Sequence, residues 1–456
     1  MNNHIDIKRL DAPVLEPDYT RLVIRPFELP KKRVAEVVAR VAALDDSCVQ
    51  EELRQVLSEF SADHAKLPEV FEKNYAWAES RSGDPPGGRP LSPAGRLLAG
   101  AYFTSEYAFE ATALFNPSIA AAPDTGVSHP LGDLRFIMSA RSVGEGHVSS
   151  VSFRTGFIDK DGGVSIDPEG RAAVTGERRS LAVSDAARSA AAGSADNSLP
   201  YETRFDPATP LSERLLFPSA AAEQNGIEDA RFVRFTDEDG SVTYYATYTA
   251  YDGKNIRPCL IETPDFLSFT MRALSGAMAL NKGMALFPRK IKRQGRGRYA
   301  MLSRIDGESL YLMFSDDMVT WNEGAKIASP LFPWEFIQIG NCGSPLELPP
   351  STGQAGWLVL THGVGSLRRY SIGALLLDAA DPARVTGRLA APLISPGERE
   401  RAGYVPNVIY TCGSIIHGEH LIIPYGSADR SIAFISIKTA ELLEKLTGGQ
   451  SPYAYT

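Results

Sequence analysis

The sequence has few of the residues that build metal sites or disulfide frameworks. Its 456 residues include four cysteines and seven histidines. Cys48, Cys259, Cys342 and Cys412 lie far apart without CxxC spacing, so neither a zinc site nor a disulfide framework is indicated. The histidines are scattered, and no group of carboxylates has the spacing of metal ligands. The sequence therefore predicts no metal and no cofactor.

Long apolar runs and a strongly charged face are also missing. No window reaches the roughly 18 apolar residues of a membrane span, and the N-terminus lacks the apolar segment of a secretion signal. We expect a soluble, cytoplasmic protein with no membrane partner. The net charge of -8 is spread along the chain, and the one dense basic stretch, Arg289 to Arg298, is interrupted by glycines. No nucleic-acid partner is predicted.

The N-terminal segment, residues 1–95, is expected to contain a helical hairpin. From Arg33 to Phe60, apolar residues recur at largely helical spacing with charges between them, which predicts a helical hairpin. The helical pattern continues from Leu67 to Trp77 and ends at the Gly- and Pro-rich loop 82–88. An amphipathic hairpin needs an apolar partner, so it packs against the rest of the chain or forms a homo-oligomer interface. We favour the interface.

After about Leu97 the pattern changes to short runs of Val, Ile, Tyr and Phe separated by turn residues, without intervening helices. Such strands are typical of an all-β barrel, sandwich or propeller. The clearest runs are Val242 to Ala250, Tyr299 to Ser303, Leu310 to Phe314, Trp357 to Thr361 and Leu421 to Tyr425.

A weak internal repeat favours the propeller. Residues 263–269 and 315–321 share a small hydroxyl residue, an aspartate and a hydroxyl-aromatic pair, 52 residues apart, which is close to one blade of roughly 40 to 50 residues. We predict a catalytic domain over 96–445 and a C-terminal tail over 446–456. The stretch 167–206 is poor in large apolar residues and is interpreted as a surface insertion that could act as a lid.

The segment with the strongest chemical signal is 225–232, where two adjacent carboxylates, Glu228 and Asp229, stand beside Arg231 at the start of a strand. Such charges are costly to bury unless they are paired or used. A salt bridge at a strand edge would explain this segment alone. Polar residues recur near other strand ends, however, and the inner strands of a propeller converge on one channel. They include Asn116, Arg141, Asn281, Arg304, His362 and Asn407.

Four blocks of the sequence together resemble glycoside hydrolase family 130, the β-mannoside phosphorylases and a minority of β-mannosidases. Residues 226–231, Gly-Ile-Glu-Asp-Ala-Arg, look like the family's Gly-(Val/Ile)-Glu-Asp-Pro-Arg signature, with Ala230 in place of proline. The other blocks are 281–304, 357–364 and 405–413, and the resemblance covers roughly residues 110 to 440. It implies a five-bladed β-propeller with an N-terminal helical extension.

The resemblance also implies the roles of individual residues. Asp229 would be the general acid, protonating the glycosidic oxygen through the mannose 3-hydroxyl while phosphate attacks the anomeric carbon with inversion. We expect burial beside Glu228 to raise the pKa of Asp229. The substrate-binding residues would be Asn116, Arg141, Glu228, Arg231, Asn281, Lys282 and Asn407. The phosphate-binding residues would be Arg289, Arg304 and His362.

Two departures from the family pattern leave alternatives open. Gln338 stands where phosphorylases usually carry a lysine, and the segment 141–150 is unusually rich in ionisable groups. If Glu145 or Glu223 activated water, the same fold would be an inverting β-mannosidase. The leading hypothesis is phosphorolysis of β-mannosides to α-mannose 1-phosphate, with an oligosaccharide and phosphate as partners. A non-catalytic glycan-binding propeller is a third possibility, against which the Glu228 and Asp229 pair argues.

Overall fold

The computed structural model describes residue 5 and residues 7–10, 14–64, 66–82, 90–123, 132–181 and 200–448. The chain divides into two compact units. The larger comprises Met1–Asp18, Glu110–Glu169 and Thr175–Thr456, and the smaller comprises Tyr19–Phe109 with Gly170–Val174. Three stretches that the sequence singled out lie partly outside the described residues: the loop 82–88, the insertion 167–206 and the tail 446–456.

The helices within the described residues are α1 (Lys31–Ala42), α2 (Asp46–Phe60), α3 (Leu67–Ser82), α4 (Pro93–Tyr102) and α5 (Thr439–Gly448). The first strands in chain order are β1 (Lys8–Arg9), β2 (Leu22–Pro26), β3 (Thr104–Ala108), β4 (Ala113–Ala121), β5 (Leu134–Val143), β6 (Ser149–Ile158), β7 (Val164–Ile166), β8 (Ala172–Thr175), β9 (Glu177–Ser180), β10 (Tyr201–Arg204), β11 (Arg214–Leu215), β12 (Gly226–Thr236), β13 (Val242–Tyr251), β14 (Ile256–Thr263) and β15 (Ser268–Ala273). They are followed by β16 (Ala285–Leu286), β17 (Ile291–Arg293), β18 (Arg296–Ser303), β19 (Leu310–Ser315), β20 (Glu323–Ala328), β21 (Gln338–Asn341), β22 (Leu346–Glu347), β23 (Trp357–Val364), β24 (Tyr370–Leu377), β25 (Val385–Arg388), β26 (Ile409–Tyr410), β27 (Ile415–His417), β28 (His420–Ser427) and β29 (Ser431–Lys438).

The smaller unit is built around helices α1 to α4. Val34, Val38 and Val41 lie on one face of α1 and are buried, as the helical spacing of the sequence predicts. The Asp45 side chain caps α2 by accepting a hydrogen bond from the Cys48 N–H at 2.9 Å. Segment 33–60 therefore forms two helices, and α3 and α4 add further helical layers.

The larger unit consists mainly of antiparallel sheets, which confirms the prediction of a mostly β protein. One ten-stranded sheet contains β4 to β7, β9, β10 and β12 to β15, and it is followed along the chain by sheets of β16 to β20, of β21 to β25, and of β26 to β29 with β1. Within the ten-stranded sheet, two antiparallel groups, β4 to β7 and β12 to β15 with β10 and β9, are joined by one parallel pair, Gly226 with Ser149. All eight residues of β23 are buried, because apolar side chains pack on both of its faces.

The internal repeat seen in the sequence corresponds to the same turn in two consecutive sheets. Thr263 Oγ1 accepts from the Phe266 N–H at 2.8 Å, and Ser315 Oγ accepts from the Met318 N–H at 3.1 Å. The aspartate of each repeat then accepts from the next two backbone N–H groups. The repeated residues therefore close the turns after β14 and β19 through side-chain to backbone bonds.

The described ends of the 167–206 stretch contain the strands β8 to β10. Strand β9 pairs with β10, which pairs with β15, so β9 and β10 extend the ten-stranded sheet of the larger unit. Its residues 182–199 lie outside the described part of the chain. Among the described residues, no helix has both the length and the apolar character needed to cross a bilayer.

Candidate active site

Four of the predicted site residues have left-handed backbone conformations. The φ angles of Asn116, Asp229, Asn281 and Asn407 are 49°, 55°, 64° and 64°. Asn and Asp tolerate this region better than other non-glycine residues, which explains the residue types at these positions. Asn116 and Asp229 also lie where the strand register shifts, in β4 and in β12. Such bulges redirect a side chain out of the regular alternation and are common beside active sites.

Asn116, Arg141, Glu228 and Asp229 form one half-buried cluster. Asn116 Nδ2 donates to Asp229 Oδ1 at 2.7 Å. Arg141 bridges both acids, with Nη2 at 2.6 Å from Glu228 Oε1 and Nη1 at 3.3 Å from Asp229 Oδ1. The Arg141 Nε donates to Ser149 Oγ at 2.9 Å, which fixes the plane of the guanidinium. The structure therefore brings together the acid pair and two of the predicted sugar-binding residues.

The expectation that burial beside Glu228 raises the pKa of Asp229 is wrong. Burial alone would raise the pKa, but the positive charges of Arg141, Arg231 and Lys282 and the Asn116 hydrogen bond lower it more, to about 2. These cations come from several strands and loops that only the fold brings together, and they favour the ionised form of Asp229.

Beside this cluster lies a narrow cavity of about 30 Å³. Its lining residues are Asp229, Arg231, Lys282, Gly283, Arg304, Gly340, Asn341, His362 and Tyr410. Arg231 Nη2 donates to the Tyr410 hydroxyl at 2.8 Å, and Arg304 Nη1 lies 2.8 Å from His362 Nε2. The Nε atoms of both arginines are buried and have no hydrogen-bond partner within the described residues. The cavity thus holds two guanidinium groups whose described hydrogen-bond partners are a phenol, an imidazole and the Asp229 backbone carbonyl.

His362 is a neutral residue that positions Arg304. Its Nδ1 lies 3.1 Å from the Asn341 carbonyl oxygen and donates to it, so Nε2 is the acceptor for Arg304. Burial and the nearby charges of Arg304 and Arg231 hold the pKa of His362 well below its usual range. Gln338 Nε2 also approaches His362 Nε2, at 3.3 Å. The predicted phosphate-binding histidine therefore supplies no positive charge, and it acts on Arg304.

Asp429, in the turn between β28 and β29, belongs to the same electrostatic cluster but was missed by the sequence analysis. Burial, then the charge of Asp229, raise its pKa to about 7 against the opposing influence of Arg141, Arg368 and Lys282. Its φ of 49° is left-handed, as in the predicted site residues. The available signal was an aspartate in a tight turn at a strand end, and that pattern is too common to single it out.

Arg289 lies outside the cavity, contrary to the predicted phosphate-binding role. Its Nη2 and Nε pair with Glu347 at 2.5 and 2.9 Å, and its guanidinium stacks over the Trp357 ring at 4.8 Å. It lines a separate cavity of about 510 Å³ together with Asp237 and Lys290. The adjacent Lys290 reaches Asp237 at 2.8 Å. The charge of Arg289 is therefore already matched by a carboxylate.

The two carboxylates proposed as bases for water also lie outside the cavity lining. Glu223 is fully buried, and its oxygens accept from the hydroxyls of Tyr201 and Tyr248 at 2.9 and 2.7 Å and from the N–H groups of Ser219 and Ala220. These bonds fill its accepting capacity, so Glu223 is structural. Glu145 is exposed in the turn between β5 and β6.

The remaining predicted residues lie on loops near strand starts. Lys282 lines the cavity, and its backbone N–H donates to the Asn281 side chain at 2.9 Å. The backbone of Asn407 is held on both sides, by the Tyr370 N–H and by the Glu400 carbonyl. Within the described ranges, no cluster of three or more His, Cys, Asp or Glu could hold a metal ion.

Comparisons with known proteins agree on one family. Residues 207–447 match the family model described as β-1,4-mannooligosaccharide phosphorylase. The chain is 30% identical to a 1,2-β-oligomannan phosphorylase of Thermoanaerobacter sp. over 51% of this chain and 75% of that protein. It is also 30% identical to a β-1,2-mannobiose phosphorylase of Listeria innocua over 51% of this chain and 63% of that one. The solved complex of a Listeria innocua β-1,2-mannobiose phosphorylase with β-1,2-mannobiose superposes with a TM-score of 0.49 at 19% identity, covering 74% and 93% of the two chains.

Proposed function

The chain belongs to glycoside hydrolase family 130, and from this membership and its site we propose that it catalyses the inverting phosphorolysis of β-mannosides. The products are α-mannose 1-phosphate and a shortened acceptor sugar. Inorganic phosphate forms the new bond to the anomeric carbon, and the glycosidic oxygen leaves with a proton.

The observation that carries this proposal is the cationic cavity beside Asp229. Arg231, Lys282 and Arg304 line it together with a single carboxylate among its described lining residues. Both guanidinium groups have a buried Nε that lacks a partner in the described structure. Guanidinium groups bind phosphate oxygens through paired hydrogen bonds, so an inorganic phosphate satisfies these donors and balances the charge.

Phosphate binding also raises the pKa of Asp229, and a general acid has to carry a proton. The pKa of Asp229 is about 2, because Arg141, Arg231 and Lys282 together outweigh the effect of burial. A bound phosphate offsets the charge of Arg231 and Lys282, two of these three cations, so it raises the pKa of Asp229 and makes protonation of the carboxyl group easier. Asp229 then acts as the general acid, through the 3-hydroxyl of the mannose as the family resemblance implies.

The residues around Asp229 suit a sugar ring. Asn116 Oδ1 is buried without a described partner, while Asn116 Nδ2 orients the acid at 2.7 Å. Arg141 is held by Glu228 and Ser149 and offers a planar donor surface. We assign Asn116, Arg141 and Glu228 to the mannose ring, with Asn281 and Asn407 on the neighbouring loops. Arg231, Lys282 and Arg304 are assigned to phosphate, with His362 positioning Arg304.

Hydrolysis is the weaker alternative on this structure. An inverting hydrolase needs a second carboxylate to activate water on the far face of the sugar. Glu223 accepts four hydrogen bonds from neighbouring groups, and Glu145 lies in an exposed turn outside the cavity lining. A non-catalytic glycan-binding role gives no reason for a cavity that combines an acid with two incompletely paired guanidinium groups.

The sheets of the larger unit support a five-bladed propeller as the catalytic fold. Five antiparallel groups of strands follow one another along the chain, and strand β1 from the N-terminus completes the last group by pairing with β29. In this arrangement the first strand of each group lines the central channel, with Asn116 and Asp229 on such strands and Asn281 and Asn407 on the loops that precede them. We keep the predicted boundaries of 1–95, 96–445 and 446–456. Association through the N-terminal helices and a cytoplasmic location also stay predictions.

The test is to incubate the purified protein with β-1,2-, β-1,3- and β-1,4-mannobiose, with and without inorganic phosphate. We expect α-mannose 1-phosphate only when phosphate is present, from one preferred linkage. Free mannose at the same rate with and without phosphate contradicts phosphorolysis and indicates hydrolysis. Binding of mannobiose without either product indicates a glycan-binding protein.

A further inference from the structure

An exposed aromatic pair lies close to the Asp229 cluster and has no role in the chemistry proposed above. The rings of His147 and Tyr404 stack at 5.8 Å between centroids with an interplanar angle of 26°. The Tyr404 hydroxyl and His147 Nδ1 are 3.1 Å apart. Tyr404 is 43% exposed and His147 is also exposed. The two residues are 257 positions apart in the sequence, so the fold brings the pair together from distant loops.

The backbone holds both residues in place at some cost. His147 has a φ of 61° in the turn between β5 and β6, and the preceding Gly146 has 67°. A left-handed conformation is unfavourable for a non-glycine residue. The loop that carries Tyr404 is fixed by Glu400, which is 1% exposed and accepts from the Gly397 N–H at 2.8 Å and the Ser427 hydroxyl at 3.3 Å. Strain and anchoring at an exposed aromatic pair indicate a function rather than packing.

Two independent routes connect the pair to the acid. The Tyr404 ring lies 6.4 Å from the Phe115 ring, and Phe115 carries the Arg141 guanidinium over its face at 5.1 Å. Arg141 in turn contacts Asp229. On the other side, the Val405 N–H donates to the Ala428 carbonyl at 2.9 Å, directly before Asp429. The pair is therefore linked to the Asp229 cluster through Phe115 and Arg141, and both of its residues are exposed.

We propose that His147 and Tyr404 form the subsite that holds the acceptor sugar, the saccharide unit released when the mannosidic bond is cleaved. This inference rests on the function proposed above. A pyranose ring presents a C–H face and a rim of hydroxyls. Tyr and His present an apolar ring face with a polar tip, so one pair offers stacking surface and hydrogen bonds together. The contact between the Tyr404 hydroxyl and His147 Nδ1 holds the two rings together at an interplanar angle of 26°.

The experiment measures sugar binding without turnover, by calorimetry on Asp229→Asn protein with β-1,2-mannobiose, β-1,4-mannobiose and mannose. Adding Tyr404→Ala should weaken the preferred mannobiose by about tenfold and leave mannose within about twofold. His147→Ala should have a smaller effect in the same direction, and Tyr404→Trp should retain binding. Tyr19→Ala, which removes another exposed tyrosine, is the matched control and should change neither affinity.

Three outcomes are decisive. Unchanged mannobiose affinity in the Tyr404→Ala protein overturns the subsite, and so does an equal loss for mannose and mannobiose. Selective loss for mannobiose supports it, even if the wild-type protein fails to phosphorolyse mannobiose. In that last case the proposed reaction fails and the acceptor subsite stands as a glycan-binding feature.

Discussion

Two cationic cavities of the larger unit differ in what their positive charges contact. In the cavity beside Asp229, the described hydrogen bonds of Arg231 and Arg304 go to Tyr410, His362 and a backbone carbonyl. In the second cavity, Arg289 and Lys290 contact the carboxylates of Glu347 and Asp237. Most of the basic stretch that follows is likewise matched, with Arg293, Arg296 and Arg298 paired to Glu323 or Asp316. Whether a cavity can bind an anion therefore depends on which groups its cations already contact, and not on how many cations it contains.

The same comparison explains why the larger cavity is the poorer candidate. An anion entering it has to replace ion pairs that are already made, and the exchange gains little at an exposed surface. In the smaller cavity, burial and neutral partners leave the guanidinium charge available. The following predictions test this difference, beginning with the largest effect.

Asp229→Asn should lower the rate of phosphorolysis by about 1000-fold or more, because the amide cannot deliver a proton to the leaving group. The measurement is the rate of α-mannose 1-phosphate release at saturating mannobiose and phosphate. Asp237→Asn is the matched control, since it removes an aspartate from the second cavity and breaks the 2.8 Å contact with Lys290. Substantial residual activity in Asp229→Asn, with Asp237→Asn near wild type, contradicts the acid assignment.

Arg304→Ala should raise the KM for phosphate by about 10- to 100-fold and change the KM for mannobiose by less than about threefold. The guanidinium lost is 9% exposed and is positioned by His362 for an anion. Initial rates over a phosphate series give both values. Arg304→Lys keeps the positive charge but lacks the planar guanidinium, so its KM for phosphate should lie between those of the wild type and Arg304→Ala. Equal losses for sugar and phosphate would mean that Arg304 binds the mannoside.

Asp429→Asn should make the unfolding free energy less dependent on pH. The pKa of Asp429 is raised to about 7 by burial and by Asp229, so the folded state keeps a proton that the unfolded chain releases above about pH 4. The wild type therefore loses stability as the pH rises from about 4 to 7, by up to roughly 4 kcal/mol, and the variant does not.

Urea unfolding of the ligand-free protein at a series of pH values measures this effect. The unfolding free energy changes with pH in the opposite direction for Asp229. Its pKa of about 2 stabilises the folded state above about pH 4, and this contribution is lost as the pH falls toward 2. Asp229→Asn should thus be destabilised most at neutral pH, whereas Asp429→Asn gains most there. Parallel curves for wild type and Asp429→Asn would place the Asp429 carboxyl in solvent.

The sequence was sufficient for the strands and for the acid cluster. Short apolar runs bounded by turn residues predicted most of β13, β18 and β23, and the family resemblance pointed to Asn116, Arg141 and Asp229, which do meet. The pKa of Asp229 was predicted in the wrong direction, because its sign depends on cations contributed by separate strands and loops. Asp429 was missed because an aspartate in a turn carries no signature. Pairing between distant residues is a property of the fold and is not readable from local spacing.

Arg289→Ala is the prediction with the smallest expected effect and the most direct test of the comparison. The family resemblance implies that Arg289 binds phosphate, whereas in the structure it pairs with Glu347, 58 residues away. The Arg289 side chain is 42% exposed. An exposed ion pair of this kind contributes about 0–1 kcal/mol, so the KM for phosphate should change by less than about twofold and the stability only slightly. Glu347→Gln serves as the reciprocal control. If Arg289→Ala instead raises the KM for phosphate as much as Arg304→Ala does, Arg289 exchanges Glu347 for phosphate during the reaction, and a carboxylate partner does not exclude a cation from an anion site.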